Sequence, residues 1–167
     1  MNDSLNICLS CGLCCDGTLI GYVKLGSEEL PALRELLNIE EEGGKGFFLQ
    51  PCKSYCDGCT IYSNRPKQCD NFKCGLLKSV EQKELSFDTA LERINAVSQK
   101  KISIEKKIAK LPFELESNSF YFNMTELKTL LYKKKAESPV TQNQLELIPD
   151  LEQLNSLISK NFGVSLF

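Results

Sequence analysis

The 167-residue sequence contains no histidine. Histidine is the most common general base in catalysis and the most common nitrogen ligand of metals. Its absence excludes Ser-His-Asp and Cys-His catalysis, every zinc site with a histidine ligand, and the histidine-bearing zinc motifs of proteases and deaminases. We therefore expect the chemistry of this protein to depend on sulfur.

The sequence also lacks long apolar runs and a strong charge of either sign. Nowhere do about eighteen apolar residues follow one another, so no transmembrane helix is expected. The start, Met1–Leu5, lacks the basic and apolar segments of a signal peptide, which predicts a cytoplasmic protein. Lys and Arg number 20 and Asp and Glu 22, a formal charge of −2. This balance disfavours nucleic acid as a partner, because nucleic-acid-binding domains are normally basic.

Cysteine is abundant and confined to one part of the chain. All nine cysteines lie between residues 8 and 74, and residues 75–167 contain none. A disulfide scaffold is disfavoured, because it requires an oxidising compartment and usually an even number of cysteines. One or two cysteines are expected to be small core residues, with Cys56 and Cys74 as the candidates. The remaining cysteines, set beside Gly and Pro turns, indicate metal ligation.

The spacing of the first cysteines suits metal ions. In Cys-x-x-Cys, a turn of two residues brings both sulfurs to one ion, about 2.3 Å away for zinc. Cys8, Cys11 and Cys14 form two such units in series, and Cys15 follows immediately. Because adjacent side chains point in different directions, Cys14 and Cys15 are expected to serve two metals or to bridge two.

A second set of sulfur donors lies further along the chain, at Cys52, Cys59 and Cys69, and Cys56-x-x-Cys59 adds another chelating pair. Residues 1–74 contain seven basic and ten acidic residues, so their net charge is already negative when all thiols are protonated. Ionisation of eight thiols would add eight negative charges, which would need cations nearby. Arg65 is the strongest candidate for a basic side chain that orients and tunes the ligands. Zinc and iron both accept all-thiolate shells, so the cofactor is expected to be zinc or an iron–sulfur cluster.

Local patterns predict short strands and short helices among the cysteines. We expect strands over residues 18–23 and 47–49, a helix over 28–37 capped by Ser27, and an acidic loop over 40–46. Asp57-Gly58 indicates a tight turn. Pro66 suits the first turn of a helix that carries Cys69.

Helical patterns dominate after Gly75. A long helix, capped by Asp88, is expected to run to about Leu111, where Pro112 ends it. Its narrow apolar seam consists of Ala90, Ile94, Val97, Lys101, Ile104, Ile108 and Leu111. Three more helices are predicted over residues 124–135, capped by Asn123 with Glu126, over 141–148 and over 149–161. The predicted fold class is α+β, with a small cysteine-rich, metal-stapled module of short strands at residues 1–75 and a mainly α-helical region at 76–167 that packs on it.

Two motifs resemble those of a known family. The first is Cys8-x-x-Cys11-x-x-Cys14-Cys15, and the second is Cys59-x-Ile61-Tyr62-x-x-Arg65-Pro66-x-x-Cys69. Together they resemble the CxxCxxCC family of zinc- or iron-chelating proteins over residues 8–74. The resemblance implies a cytosolic bacterial protein whose cysteines bind zinc or an iron–sulfur centre. The ligands that it implies are Cys8, Cys11, Cys14, Cys15, Cys52, Cys59 and Cys69, with Cys74 in addition, whereas Cys56 falls outside the family pattern.

Two alternatives accompany this metal-binding hypothesis. The family also resembles the cysteine-rich segment of flagellin lysine methylases, which implies an iron–sulfur-dependent enzyme of protein lysine methyl transfer. Cys52-x-x-x-Cys56-x-x-Cys59 matches the spacing of radical enzymes that bind S-adenosylmethionine, but no repeating pattern of strands and helices surrounds it. The lysines of the helical region, among them 133–135, offer a surface for a protein partner, although a solvated helix face is the simpler interpretation.

Overall fold

The computed structural model describes residues 3–137, 139 and 141–167. The helices are α1 (Asp3–Cys11), α2 (Leu30–Leu33), α3 (Lys67–Asn71), α4 (Gly75–Glu81), α5 (Phe87–Ile108), α6 (Phe120–Glu137) and α7 (Gln142–Phe162). The strands are β1 (Tyr22–Leu25), β2 (Glu40–Glu42) and β3 (Lys45–Leu49), and a 3-10 turn covers Tyr62–Asn64. This combination of a small sheet with long helices confirms the predicted α+β class.

The strands form an antiparallel sheet in the order β1-β3-β2. β2 and β3 make a hairpin whose turn residues, Gly43 and Gly44, have φ values of 58° and 77°. A two-residue hairpin turn of this kind requires positive φ at both positions, which glycine adopts at little steric cost. The predicted acidic loop over residues 40–46 is therefore wrong, because most of this segment is paired strand.

The strand β1 begins later than the sequence indicated. Thr18 and Leu19 donate their backbone N–H groups to the carbonyl of Leu13, at 3.0 and 2.9 Å, and so belong to the turn that follows the first cysteine motif. In the sheet itself, Val23 of β1 pairs with Phe48 of β3, and both side chains are buried. The strand predicted around residues 47–49 is thus correct.

The predicted helix over residues 28–37 is mostly turns, and only Leu30–Leu33 is helical. Its N-cap position is Glu29 rather than Ser27. The Glu29 carboxylate accepts a hydrogen bond from the backbone N–H of Lys67 at 2.8 Å, so this segment is tied to the start of α3. The predicted apolar side is correct for Leu30, Leu33 and Leu37, which are buried.

The long helix α5 has the predicted apolar seam. Ala90, Ile94, Val97 and Ile104 are all buried, each with at most 3 % of its surface exposed. The helix begins two residues earlier than a cap at Asp88 would place it, because the Ser86 hydroxyl is the cap and accepts a hydrogen bond from the N–H of Thr89 at 3.2 Å.

The last two helices differ from their predicted bounds. Asn123 lies inside α6 and does not cap it. Residues 142–162 form one helix that passes through Pro149, where two helices were predicted. Pro149 has no N–H to donate to the carbonyl of Leu145, so one hydrogen bond of the helix is lost. Both residues lie on the exposed side of α7, where water can replace this hydrogen bond. The predicted start is correct, since Thr141 and Gln144 form a capping box.

Two apolar cores organise the described residues. The larger core combines α4 to α7 with Ile7, Leu13 and Leu19 from the cysteine-rich part. The smaller core lies under the sheet and contains Val23, Leu25, Leu30, Leu33, Leu37 and Phe48. No helix in residues 3–137, 139 and 141–167 has both the length and the apolar composition to cross a membrane. The division of the chain at residues 75 and 76 stays a prediction.

Candidate metal centre

The first cysteine motif follows the end of α1. Gly12, with a φ of 64°, ends this helix in the left-handed conformation that glycine adopts most readily. The chain then turns tightly, with the N–H of Asp16 bonded to the carbonyl of Gly12 at 2.9 Å. Leu13, only 1 % exposed, anchors this turn in the larger core. The result is a fixed loop that carries Cys14 and Cys15.

The segment that carries Cys52 and Cys59 is attached to the first motif by the backbone. The N–H of Cys52 donates to the carbonyl of Cys15 at 2.8 Å. An isolated bridge between Tyr55 and Cys59 closes the loop that contains the predicted Asp57-Gly58 turn, where Asp57 has a φ of 49°. These contacts bring Cys52 and Cys59 beside Cys15 although they are more than 35 residues away in sequence.

Short helices carry the last two cysteines of the cavity. Cys69 lies on α3, which begins after Pro66 as the sequence predicted. The backbone N–H of Lys24 in β1 donates to the side-chain oxygen of Gln68 at 2.7 Å and fixes α3 against the sheet. Cys74 is the N-cap of α4, and its sulfur accepts the N–H of Leu77 at 3.5 Å. Because α4 packs against α1, Cys74 reaches the first motif.

Eight of the nine cysteines line one cavity of 540 Å³: Cys8, Cys11, Cys14, Cys15, Cys52, Cys59, Cys69 and Cys74. All eight are partly buried and have free thiols. Cys56 is exposed and is absent from the cavity wall. The expectation of a buried core position for Cys56 is therefore wrong, because the tight turn at Asp57 and Gly58 holds it at the surface.

Four of these cysteines form what we call the first thiol group: Cys8, Cys11, Cys14 and Cys74. Burial raises the pKa of the Cys11 thiol to about 12, with further contributions from the charges of Cys74 and Cys8. Burial also raises the pKa of Cys14 well above its ordinary value, and the charges of Cys11 and Cys74 add to this effect. All four side chains line the same cavity.

The other four cysteines form the second thiol group: Cys15, Cys52, Cys59 and Cys69. Burial raises the pKa of Cys15 to about 12, and the charges of Cys59, Cys52 and Cys69 raise it further. Burial likewise raises the pKa of Cys69 to about 12, reinforced by Cys52 and Cys59. The two groups adjoin at Cys14 and Cys15, since the charge of Cys15 also raises the pKa of Cys14.

The donor set fits a metal that prefers sulfur. Within the described ranges, no three Cys, Asp or Glu side chains form a group that could hold a metal ion as they stand. The raised pKa values of Cys11, Cys15 and Cys69 keep these thiols protonated at neutral pH, and only the thiolate form binds a metal. Two sets of four sulfurs in one cavity nevertheless match the ligand number and type of all-thiolate zinc and iron–sulfur sites.

Arg65 lies in the wall of the same cavity. Its guanidinium carbon is 3.8 Å from the centre of the Tyr62 ring, and one terminal nitrogen forms an ion pair with Asp70. Its Nε is buried and has no hydrogen-bond partner in the part of the chain that the structure describes. The positive charge of Arg65 opposes the effect of burial on Cys8 and Cys69, and so lowers the pKa of one thiol in each group.

One contact at the site was not predicted from the sequence. Lys101 of α5 donates to Oδ2 of Asp16 at 2.9 Å and to its backbone carbonyl at 3.3 Å. The other oxygen, Oδ1 of Asp16, accepts hydrogen bonds from the N–H and hydroxyl of Thr18, at 2.9 and 2.6 Å. The sequence did contain a sign of this contact, because Lys101 lies within the apolar seam of its helix. A lysine at a buried position normally has a partner of opposite charge.

Comparisons with known proteins agree with this arrangement. The CxxCxxCC family model, described as "Putative zinc- or iron-chelating domain", matches residues 7–108. No curated protein and no solved structure matches the chain significantly. The comparisons support neither lysine methyl transfer nor a protein partner of the helical region. The match extends beyond the last cysteine through α5, the helix whose Lys101 holds the cysteine turn. Since the family model covers more than half of the sequence, the chain belongs to the CxxCxxCC family.

Proposed function

We propose that the protein binds two metal centres, one at each thiol group, and that each centre is a zinc ion or an iron–sulfur cluster. The observation that carries this proposal is the division of eight cavity thiols into two sets of four. Four thiolates complete the shell of a structural zinc ion, and four also hold a four-iron cluster.

The adjacent pair Cys14 and Cys15 supports two centres rather than one. The charges that act most strongly on Cys14 come from Cys11 and Cys74. Those that act most strongly on Cys15 come from the other members of the second thiol group. Each member of the pair therefore has three other thiols around it. A single centre would leave four of the eight partly buried thiols without a ligand role.

Ionisation of the thiols is the step that binding must drive. Burial raises the pKa of Cys11 and Cys15 to about 12, so both keep their protons at neutral pH without a cation. A bound zinc ion or iron–sulfur cluster supplies the positive charge that keeps such sulfurs ionised. Binding accordingly releases protons, and the affinity for metal increases with pH. Arg65 favours the same ionisation at Cys8 and Cys69.

The centres also hold the cysteine-rich module at residues 1–75 together. Among the described residues, the core under the sheet consists of only six buried apolar side chains, which is small for an independent domain. Binding of a structural metal contributes on the order of 10 kcal/mol, as much as the stability of a typical domain. The larger core, by contrast, is formed mostly by side chains of the helical region at 76–167. Free thiols of this number suit a reducing compartment such as the cytoplasm.

The proposal is tested by metal analysis of protein purified without oxygen. Zinc content, iron content and acid-labile sulfide distinguish the two kinds of centre. The double variant Cys11→Ser/Cys74→Ser removes two ligands of the first thiol group, and Cys52→Ser/Cys59→Ser removes two of the second. Each is expected to lose the metal of one centre and keep that of the other.

Cys56→Ser is the matched control, because Cys56 is exposed outside the cavity. We expect this variant to keep the full metal content. The proposal fails if Cys56→Ser loses as much metal as the cavity variants, or if both double variants keep all of it. Loss of all metal from either double variant would indicate one shared centre instead of two.

A further inference from the structure

We propose that Arg65 is shared by the two thiol groups and couples the metal centres that they bind. The inference rests on the proposed function and concerns the side chain that stabilises both sets of ligands. A single guanidinium between the groups would make the affinity of each centre depend on the same residue.

The Arg65 side chain is held in place from two sides. It stacks on the Tyr62 ring, with the guanidinium carbon 3.8 Å from the ring centre. Its ion pair with Asp70 lies toward solvent, since the side chain of Asp70 is 63 % exposed and that of Arg65 only 19 %. The terminal nitrogen that pairs with Asp70 is therefore occupied, and the Arg65 side chain also forms part of the cavity wall.

The guanidinium also has a buried donor without an acceptor. In the described residues, Nε of Arg65 is buried and has no hydrogen-bond partner. A buried donor left unpaired is unfavourable, and it is normally paired with protein or water. The cavity around it contains eight sulfurs, which accept charge-assisted hydrogen bonds once they are ionised. The unpaired Nε is thus suited to the thiolate form of the site.

Both groups lie within electrostatic reach of Arg65. Arg65 lines the same cavity as Cys8, which lies on α1, and Cys69, which lies on α3. Lys73 is the other basic side chain in the wall of the cavity, as far as the chain is described, and it pairs with Glu81 at 2.8 Å. Arg65 is therefore the cation available to both groups.

A shared cation matters because each centre is negatively charged. Four thiolates around a doubly charged zinc ion leave two negative charges, and Cys14 and Cys15 are neighbours in sequence, so the centres lie close together. Like charges at short range in a partly buried cavity repel strongly. A guanidinium in the wall of the cavity that both groups line reduces this repulsion. Binding of metal at one centre then weakens binding at the other centre less than it would without Arg65.

The test uses the full-length chain, freed of metal and titrated with Co²⁺ under a competing chelator without oxygen. The sulfur-to-cobalt charge-transfer band reports binding to thiolates. Arg65→Gln is introduced into Cys11→Ser/Cys74→Ser, which leaves the second thiol group intact, and into Cys52→Ser/Cys59→Ser, which leaves the first intact. Arg34→Gln is the control, since it removes an exposed guanidinium paired with Glu41 outside the cavity.

We expect Arg65→Gln to lower the affinity for Co²⁺ roughly tenfold to a hundredfold in both backgrounds. Arg65→Lys keeps the positive charge but lacks the planar guanidinium with its several N–H donors. We expect it to lower the affinity for Co²⁺ less than Arg65→Gln does, in both backgrounds. Arg34→Gln is expected to change neither. With all cysteines present, Arg65→Gln should widen the difference between the first and second Co²⁺ affinities.

A loss of affinity in one background alone, or in neither, would overturn the inference. If Arg65→Gln loses its helical circular dichroism, Arg65→Lys is judged by the same criterion. Failure of the proposed function is distinct from these outcomes, because the protein with all cysteines and an intact Arg65 would then show no sulfur-to-cobalt band.

Discussion

The ammonium nitrogen of Lys101 lies 2.9 Å from Oδ2 of Asp16. This ion pair connects the middle of α5 to the residue directly after Cys15, and the lysine side chain is only 12 % exposed. The Lys101 ammonium also lies 4.8 Å from the centre of the Phe120 ring. A helix without cysteines therefore helps to determine the shape of the cysteine turn. The family match also extends through this helix.

Replacing Lys101 should destabilise the protein and weaken metal binding together. Lys101→Met leaves the Asp16 carboxylate partly buried without its cation, at a cost of about 2 kcal/mol. The free energy of unfolding and the affinity for zinc measure the two effects. Lys106→Met, at an exposed position of the same helix, is the control and should change little. Equal effects of the two substitutions would show that the ion pair does not support the turn.

Acid should weaken the packing of α5 against α7 through Asp150. Burial alone would raise the pKa of this carboxyl, but hydrogen bonds from Lys107 and Lys100 hold it below its usual value of 3.8. Because the pKa is lower in the folded state, its stabilising contribution is complete well above pH 3.8 and decreases as the pH falls toward the folded-state pKa.

The measurement is the free energy of unfolding of wild type and Asp150→Asn across this range. At neutral pH, Asp150→Asn should be less stable by about 1 kcal/mol. The difference should decrease below about pH 4. Glu92→Gln, an exposed position on α5, should show no comparable change. A difference between wild type and Asp150→Asn that persists in strong acid contradicts the prediction.

Removal of the metals should affect the two parts of the chain unequally. We expect amides of the sheet and of residues 50–74 to lose protection from hydrogen exchange in chelator-treated protein, because the core under the sheet is small. Amides in α5 to α7 should remain protected by the larger core. Protection of the sheet that survives verified removal of all metal would contradict a metal-dependent module.

Gly12 should tolerate a side chain poorly. Its φ of 64° disfavours any other residue, and a Cβ there would collide with the ring of Tyr55. Gly43 has a similar φ of 58° with no atom within 4 Å of an added Cβ, so Gly43→Ala measures the backbone strain alone. Gly12→Ala should cost more in free energy of unfolding than Gly43→Ala. In a Tyr55→Ala background this excess should disappear, and its persistence would show another cause.

Features set by nearby residues were predictable from the sequence. The Asp57-Gly58 turn, the helix that begins after Pro66 and the capping by Thr141 depend on interactions a few residues long. The apolar seam of α5 is equally a property of residue spacing. Local patterns did not predict the hairpin at residues 40–46. Its strands form because β3 pairs with β2 on one side and with β1 on the other.

The sequence alone determined which chemistry was available, because an absence of histidine and a run of closely spaced cysteines restrict the site to sulfur ligands. Tertiary structure decided which sulfurs meet. Spacing paired Cys56 with Cys59, but the turn between them leaves Cys56 at the surface, while the packing of α4 on α1 brings Cys74 to the first motif. The physical reason is the distance along the chain over which each kind of interaction acts. The spacing of residues determines the conformation of a single turn, whereas contacts between distant segments depend on how the apolar faces of the helices pack.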